Sequence, residues 1–172
     1  MKTPTPAASG ALPVAVLDTN AVLDAWLFEA PAARALRLVI ESSRLRWEAT
    51  EPMLNELASV LARPIGHRWE GRREAVRAID WQRWARLVPI PPPCAAGWRC
   101  ADPDDQKFLD LALHARADWL ISRDWALLRL RRRASAVGVC IVGPEGWLAP
   151  PERDADLPNL IDAAPPTGLV AS

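Results

Sequence analysis

Four acidic residues occupy positions where an α/β fold would assemble a reactive site. Asp18 ends a short, nearly all-apolar run that begins at Val14, which predicts a buried parallel strand. Asp124 follows a later apolar run by two residues, Asp105 lies in the first turn of a predicted helix, and Glu56 flanks the apolar stripe of another. Because ligand sites of parallel sheets lie at the carboxyl ends of the strands, we expect these four carboxylates to converge there.

Carboxylates that crowd together repel one another, and a cation stabilises their ionised forms. Oxygen ligands without nearby Cys or His are the ligands that Mg²⁺ and Mn²⁺ prefer. Such ions activate water and stabilise charge at a phosphodiester during in-line attack. The pattern therefore predicts a Mg²⁺ or Mn²⁺ site with these metal ligands and catalytic acids: Asp18, Glu56, Asp105 and Asp124.

Each of these acids also has a purely structural interpretation when it is taken singly. Asp18 and Asp124 could each cap the helix that follows, Asp102 and Asp105 have the spacing of a capping box, and Glu56 could border a core stripe. The same holds for two polar neighbours, since Asn20 and Ser122 could orient ligands or water or simply make turn hydrogen bonds. The remaining acids of this region, Asp104 and Asp110, are predicted to be solvated surface residues.

Strands and helices are predicted to alternate along the chain. The predicted strands cover residues 14–18, 45–49, 86–90, 119–122 and 137–142, with 86–90 confined to a sheet edge by Pro89. The predicted helices cover residues 21–28, 31–41, 50–61, 73–85, 102–116 and 125–130. Such alternation favours an α/β fold with a parallel sheet covered on both faces.

Length and composition favour one globular domain. The chain has 172 residues, half of them hydrophobic, and we expect a domain at 14–149, a flexible N-terminus at 1–13 and a disordered Pro-rich tail at 150–172. Without an apolar run of about 18 residues or a signal-peptide core, we expect no membrane span and a cytoplasmic protein. Three cysteines fit a reducing compartment, and the spacing of Cys94 and Cys100 does not fit a zinc knuckle.

Four segments of this sequence resemble the motifs of PIN domains. Residues 17–23, LDTNAVL, resemble the opening motif, and Asn55, Glu56 and Leu57 resemble the second. Residues 102–109, DPDDQKFL, and 117–124, ADWLISRD, resemble the third and fourth. Their order and spacing are similar to those of VapC-like toxins of bacterial toxin–antitoxin pairs, over about residues 14–150. One departure is Arg116, which stands at a helix end where the family often has Gly.

The resemblance implies a three-layer α/β/α sandwich and Mg²⁺- or Mn²⁺-dependent endonucleolytic cleavage of RNA. It also implies inhibition by a small antitoxin protein and frequent formation of a homodimer. Carried over residue by residue, the metal ligands would be Asp18, Glu56, Asp105 and Asp124. Single-stranded or looped RNA is the expected substrate class, because its phosphates and bases are accessible to a shallow site.

Two further compositional features bear on partners. The net charge is zero, and nearly all positive charge is arginine. This skew fits either contacts with RNA phosphates or the base composition of the host. Arg123, Arg129 and Arg131–Arg133 lie beside or shortly after a predicted ligand, so they are candidates for holding RNA phosphates, or else a solvated helix end. Nine tryptophans predict aromatic core and some partner-facing surface, for which an antitoxin is the expected partner.

Other classes of strand-end carboxylate protein fit less well. An aspartyl phosphatase needs a second Asp where Asn20 stands, and a phospho-accepting receiver domain needs a lysine after a late strand, whereas Lys2 and Lys107 are both elsewhere. The alternative that stays open is a PIN-like module that binds RNA or protein without turnover.

Overall fold

The computed structural model describes residues 11–64, 66–95 and 98–147. The predicted tail at 150–172 and most of the predicted flexible N-terminus at 1–13 fall outside these ranges, so the domain boundaries stay predictions. Within the described ranges, no helix is long and apolar enough to cross a membrane.

A five-stranded parallel sheet forms the centre of the fold, with strand order β3-β2-β1-β4-β5. In chain order the strands are β1 (Val14–Leu17), β2 (Arg46–Ala49), β3 (Ala85–Leu87), β4 (Trp119–Ile121) and β5 (Cys140–Val142). Every residue of β1 is buried, as the apolar run predicted, and β1 therefore takes the central position. It pairs in parallel with β2 and with β4, where Val16 lies opposite Leu120.

Helices flank the sheet and complete the predicted three-layer α/β/α sandwich. They are α1 (Thr19–Val22), α2 (Pro31–Glu41), α3 (Glu51–Ala62), α4 (Glu70–Arg77), α5 (Gln106–His114), α6 (Trp125–Leu128) and α7 (Arg131–Ser135). A π-helical turn, Leu23–Leu27, continues α1, and 3₁₀ turns lie at His67–Trp69 and Trp81–Arg83. The helix predicted at 31–41 has the observed bounds, and Pro31 occupies its first turn, where its missing N–H costs nothing.

The helix predicted at 73–85 is wrong in both bounds. The helix in this region, α4, begins earlier at Glu70, and Arg73 is buried in it, where its guanidinium donates to Leu61 O at 2.7 Å. The chain then turns at Asp80, whose side chain accepts from Gln82 N at 3.1 Å and starts a separate 3₁₀ turn. An Asx turn of this kind competes with helix continuation, which the apolar pattern does not reveal.

Most of the other predicted elements are also shorter in the structure, and three differ in ways that the local geometry explains. The strand predicted at 137–142 begins only at Cys140, after a turn in which Gly138 has a φ of +91°. The helix predicted at 102–116 is confined to α5, because residues 102–105 form a turn before it. The predicted edge strand at 86–90 is β3, Ala85–Leu87, and lies at the sheet edge as expected.

Arg116 ends α5 in a conformation that favours glycine. Its φ is +48°, in the left-handed region. Its N–H donates to Leu113 O at 3.3 Å, and Ala117 N donates to Ala112 O at 2.9 Å, which together form a Schellman motif. This geometry accounts for the glycine that the family often has at this position, since an L-side chain is strained there.

Candidate active site

Asp18 joins the end of β1 to the start of α1. Its N–H donates to Ile121 O at 3.0 Å, which extends the pairing with β4 by one residue. Its Oδ1 accepts from Ala21 N at 2.6 Å, so the carboxylate caps α1. Only 2% of the residue is exposed. The capping interpretation is therefore correct for Asp18, but it uses one carboxylate oxygen and does not explain why a charge is buried here.

Ser122 connects two of the predicted acids. Its side chain is fully buried, and its hydroxyl donates to Asp18 Oδ2. The hydroxyl oxygen of Ser122 also accepts from Asp124 N at 2.9 Å. Asp124 in turn caps α6, since its Oδ1 accepts from Ala126 N at 2.6 Å. Because β1 and β4 are neighbours, this chain of hydrogen bonds fixes Asp18 and Asp124 at the same edge of the sheet.

Asp105 differs from the other two aspartates because it caps nothing. It directly precedes α5, but its side chain makes no capping hydrogen bond. The predicted capping box does not form, because Asp102 Oδ1 accepts from Asp104 N at 2.9 Å instead. The Oδ2 atom of Asp105 is buried and has no hydrogen-bond partner among the described residues. Buried acceptors without a partner are rare in folded proteins and call for an explanation.

Glu56, on α3, is held by two residues from other elements. Its Oε1 accepts from the hydroxyl of Thr19 at 2.5 Å, and its Oε2 lies 2.6 Å from Lys107 Nζ. Thr19 is the first residue of α1, and Lys107 lies in the first turn of α5. Neither was singled out as a site residue from the sequence, although each lies next to or near a predicted ligand. Their positions inside two of the PIN-like motifs were the available signal.

Burial and neighbouring charges raise the pKa of two of the four acids. Burial raises the pKa of Asp18 to about 6, helped by the charges of Asp105 and Asp124 and opposed by the hydrogen bonds from Ser122 and Ala21. Burial likewise raises the pKa of Asp105 to about 6. The charges of Asp124, Asp102 and Glu56 add to this increase, and Lys107 opposes it. Each of the four predicted acids, Asp18, Glu56, Asp105 and Asp124, thus lies near enough to at least one of the others for their charges to interact. Their joint role as a site stays a prediction.

The donor set fits a hard divalent cation in its chemistry. The site offers carboxylate and hydroxyl oxygens, and one buried carboxylate oxygen, Asp105 Oδ2, lacks any partner among the described residues. The side chains are not arranged as a finished cage, however, since the described residues contain no group of three or more His, Cys, Asp or Glu positioned to hold an ion together. Both carboxylate oxygens of Glu56 are engaged by Thr19 and Lys107.

Two neighbouring acids behave differently from each other. Asp104 is exposed, as predicted. The prediction for Asp110 is wrong, because this residue is half-buried and its Oδ1 accepts from Cys94 N at 3.1 Å and from Gln106 Nε2 at 2.8 Å. Asp110 therefore ties the proline-rich loop before Cys100 to α5, a long-range role that the local sequence does not indicate.

The arginines near the site divide into two groups. Arg123 is engaged by acids, with its Nε 2.8 Å from Asp24 Oδ2 and 3.8 Å from Glu145 Oε2. Arg129, Arg131 and Arg132 are exposed, and none of them forms an ion pair with a described residue. Arg133 lies over the ring of Trp98 at 4.4 Å. Arg123 is therefore already engaged by acids of the described ranges, whereas Arg129, Arg131 and Arg132 have no acidic partner there.

The fold is a parallel α/β sandwich with buried acids at the carboxyl edge of its central strands, an arrangement typical of α/β proteins that bind ligands at this edge. Comparison with known families gives the family. The sequence profile of the PIN domain matches residues 14–126, and the chain belongs to the PIN domain family. PIN domains are generally nucleases. The resemblance of the four motifs is thereby confirmed.

Among solved structures, the chain is similar to a chain of VapBC2 from Rickettsia felis, whose crystal structure is described as bound to a DNA fragment from their promoter. The TM-score is 0.50 with 11% sequence identity, and the match covers 76% of this chain and 98% of that one. At this identity the similarity concerns the fold. No curated protein sequence matches the chain significantly.

Proposed function

We propose that this protein is a metal-dependent endoribonuclease and the toxin component of a toxin–antitoxin pair. In this proposal Asp18, Glu56, Asp105 and Asp124 are the catalytic acids and hold Mg²⁺ or Mn²⁺, and RNA phosphodiesters are hydrolysed by a metal-activated water. Membership of the PIN domain family supports a nuclease, and the toxin role rests on the VapC-like order of the motifs and the similarity to a VapBC2 chain.

The observation that carries the proposal is the state of Asp105. A helix cap or a surface acid would leave both carboxylate oxygens bonded or solvated. Asp105 Oδ2 is neither, and Asp124, Asp102 and Glu56 add negative charge around it. A buried, crowded carboxylate oxygen without a donor is costly in a finished core, and a hard cation supplies the missing positive charge.

The chain's own residues prepare this site. Ser122 and the N-terminal turns of α1 and α6 fix the carboxylates of Asp18 and Asp124 in place. Thr19 and Lys107 orient Glu56 toward the same edge, and Lys107 offsets part of the repulsion on Asp105. When bound, Mg²⁺ or Mn²⁺ would lower the pKa of a coordinated water and stabilise charge on the scissile phosphate.

The partners follow from the same proposal. We propose RNA as substrate, a cognate antitoxin protein as inhibitor, a homodimer as the assembly and the cytoplasm as the location. Growth arrest on induced expression, relieved when the neighbouring gene is co-expressed, tests the toxin role. Normal growth without any co-expressed partner would contradict it.

One observation favours a second candidate, a PIN-like module that binds RNA or protein without turnover. Both oxygens of Glu56 are engaged, and the described residues hold no ready group of three ligands. If Lys107 permanently replaces the cation, the acids would remain buried and charged without catalysis.

Cleavage of single-stranded RNA with Mn²⁺ or with EDTA separates the two candidates. The wild-type protein is compared with Asp105→Asn and with a matched control, Asp104→Asn, which changes an exposed neighbour of the same type. We expect Mn²⁺-dependent cleavage by the wild type and the control, and loss of cleavage in Asp105→Asn. Absence of cleavage by all three folded proteins would favour the binding module, and cleavage that persists in Asp105→Asn would remove this residue from the site.

A further inference from the structure

Trp125 is an exception among the tryptophans of this protein. All nine lie in the described ranges, and eight are buried or half-buried, whereas 70% of the surface of Trp125 is exposed. Its ring makes no aromatic or cation–π contact with the described residues, unlike Trp26, which packs against Trp47, Trp81 and Trp84. An indole contributes most when it covers apolar surface, so the exposure of most of this ring points to a surface that is covered by a ligand.

Trp125 also lies directly beside the acidic site. It is the first residue of α6 and follows Asp124, the residue that caps this helix. Its backbone is therefore fixed by the hydrogen bonds that fix Asp124, and consecutive Cα atoms are only about 3.8 Å apart. A ligand whose reacting group reaches Asp124 therefore lies beside the helical turn that carries Trp125.

An exposed arginine accompanies the indole. Arg129 lies four residues after Trp125, and its N–H donates to Trp125 O at 3.1 Å, so one helical turn connects the two. Residues at this spacing share a helix face. Arg129 is exposed and forms no ion pair with a described residue, which leaves its guanidinium available for an anion.

The surroundings determine which class of ligand fits. Between residues 123 and 133, every exposed residue is an arginine except Trp125. A protein-docking patch would require contiguous apolar area, whereas one aromatic ring among cationic side chains matches a nucleotide, which combines a flat base with an anionic phosphate. Aromatic rings interleaved with arginines are the usual means of holding single-stranded nucleic acid.

We propose that Trp125 and Arg129 form a nucleotide-binding subsite beside the acids, in which the indole stacks on a base of single-stranded RNA and the guanidinium binds a flanking phosphate. This inference rests on the proposed function and deepens it, because it assigns where the substrate strand is held. The guanidinium contact adds affinity without reading the base, whereas the stack requires a base at that position.

Direct binding measurements test the subsite without catalysis. The full-length protein is titrated, in EDTA, into two labelled strands: an oligouridylate and the same ribose-phosphate strand lacking bases. The variants are Trp125→Ala, Trp125→Phe and Arg129→Ala. The matched controls change exposed residues elsewhere, Val137→Ala and Arg34→Ala.

We expect Trp125→Ala to weaken oligouridylate binding by about fivefold or more, the effect of losing one base–aromatic stack, and Trp125→Phe to restore most of it. Neither variant should alter binding of the strand without bases. Arg129→Ala should weaken binding of both strands and lower the salt slope by about one phosphate contact. Both controls should bind as the wild type does.

Several outcomes would overturn the subsite. Unchanged affinity of Trp125→Ala for oligouridylate would do so, and a simultaneous change in oligomeric state would assign the indole to a protein interface instead. If Trp125→Ala lost the same affinity for oligouridylate and for the strand without bases, stacking would be excluded. Because these measurements need no cleavage, Mn²⁺-dependent cleavage together with unchanged binding would defeat the subsite alone, whereas Trp125-dependent binding without cleavage would support the subsite and defeat the nuclease.

Discussion

The hydroxyl of Ser122 donates a hydrogen bond to Asp18 Oδ2, although 104 residues separate the two along the chain. Since the same hydroxyl oxygen accepts from Asp124 N, one small side chain links the ends of β1 and β4 and both acids that follow them. The site is thus held by backbone and side-chain hydrogen bonds that are independent of any bound ion.

Removal of this hydroxyl should affect both stability and the acids. Ser122→Ala leaves Asp18 Oδ2 and Asp124 N without their buried partner, and we expect a loss of about 1–3 kcal/mol in the free energy of unfolding. It should also raise the pKa of Asp18 further, because the Ser122 hydrogen bond lowers it. Chemical denaturation and Mn²⁺ titration across pH measure the two effects.

The control for this variant is Ser59→Ala, which removes an exposed hydroxyl that donates to Asn55 O at 2.8 Å within α3. It should alter stability by no more than about 0.5 kcal/mol, as surface substitutions usually do. Equal stability of the two variants would show that Ser122 does not organise the site.

Asp18→Asn should abolish RNA cleavage and leave the fold intact. The Asn side-chain oxygen can still accept from Ala21 N, so the cap of α1 survives. What Asn lacks is the negative charge that holds a hard cation, and we expect the rate to fall by orders of magnitude. Without metal, the melting temperature should stay constant or rise, since a buried charge is removed.

Asp80→Asn is the matched control, because Asp80 is also an N-cap acid. It accepts from Gln82 N and starts a 3₁₀ turn between α4 and β3, away from the helix starts that carry the predicted ligands. It should cut RNA at the wild-type rate. An Asp18→Asn protein that is folded and equally active would contradict the assignment of Asp18 as a ligand.

The stability of the metal-free protein should depend on pH because the pKa values of Asp18 and Asp105 are raised. The pKa of Asp18 and of Asp105 is about 6 in the fold, against 3.8 for an unperturbed Asp, so the folded protein binds more protons than the unfolded chain within this window. The contribution of these groups to stability is therefore complete below about pH 4 and decreases as pH rises through about 6.

Urea denaturation in EDTA at about pH 4.5 and about pH 7 tests this sign. Relative to the wild type, Asp18→Asn should gain stability at the higher pH and gain little at the lower. Mn²⁺ added to the wild type at the higher pH should restore stability, because it binds the folded form only. If the difference in stability between the two proteins does not change with pH, the pKa of Asp18 is not raised in the folded protein.

Replacement of Arg116 by glycine should stabilise the protein. The residue has a φ of +48° at the end of α5, where an L-side chain costs about 1 kcal/mol and glycine does not. We expect Arg116→Gly to raise the free energy of unfolding by about 0.5–1 kcal/mol, and Arg116→Ala, which keeps the strain, to give no gain. Thermal and chemical denaturation of both variants give the comparison, and equal stabilities would rule out the strain.

The sequence by itself determined the central strand of the sheet and the position of Asp18 directly after it. The apolar run of β1 is buried on both sides, so it must be a central parallel strand, and the acid after it must lie at the carboxyl edge. The alternation of strands and helices determined the fold class, because it favours a parallel sheet covered by helices on both faces. These conclusions depend on patterns formed by residues that are close together in the sequence, so they can be drawn without the tertiary structure.

The tertiary structure alone decided how each polar group is satisfied. Asp18 and Asp105 have similar local sequence signals, each at a helix start, yet one is a cap with two donors and the other has a buried oxygen with none. Glu56 is engaged by Thr19 and Lys107, from two other helices.

Long-range packing also decided the environment of two other side chains, Asp110 and Trp125, which the sequence patterns did not predict. The sequence predicted Asp110 as a surface acid, whereas in the structure the loop at Cys94 packs against it. Nothing local distinguishes Trp125 from the eight tryptophans that pack against the rest of the chain. Hydrogen-bond partners and exposure depend on which segments, distant in sequence, the packed sheet brings together, and a periodic pattern along one segment carries no information about the others.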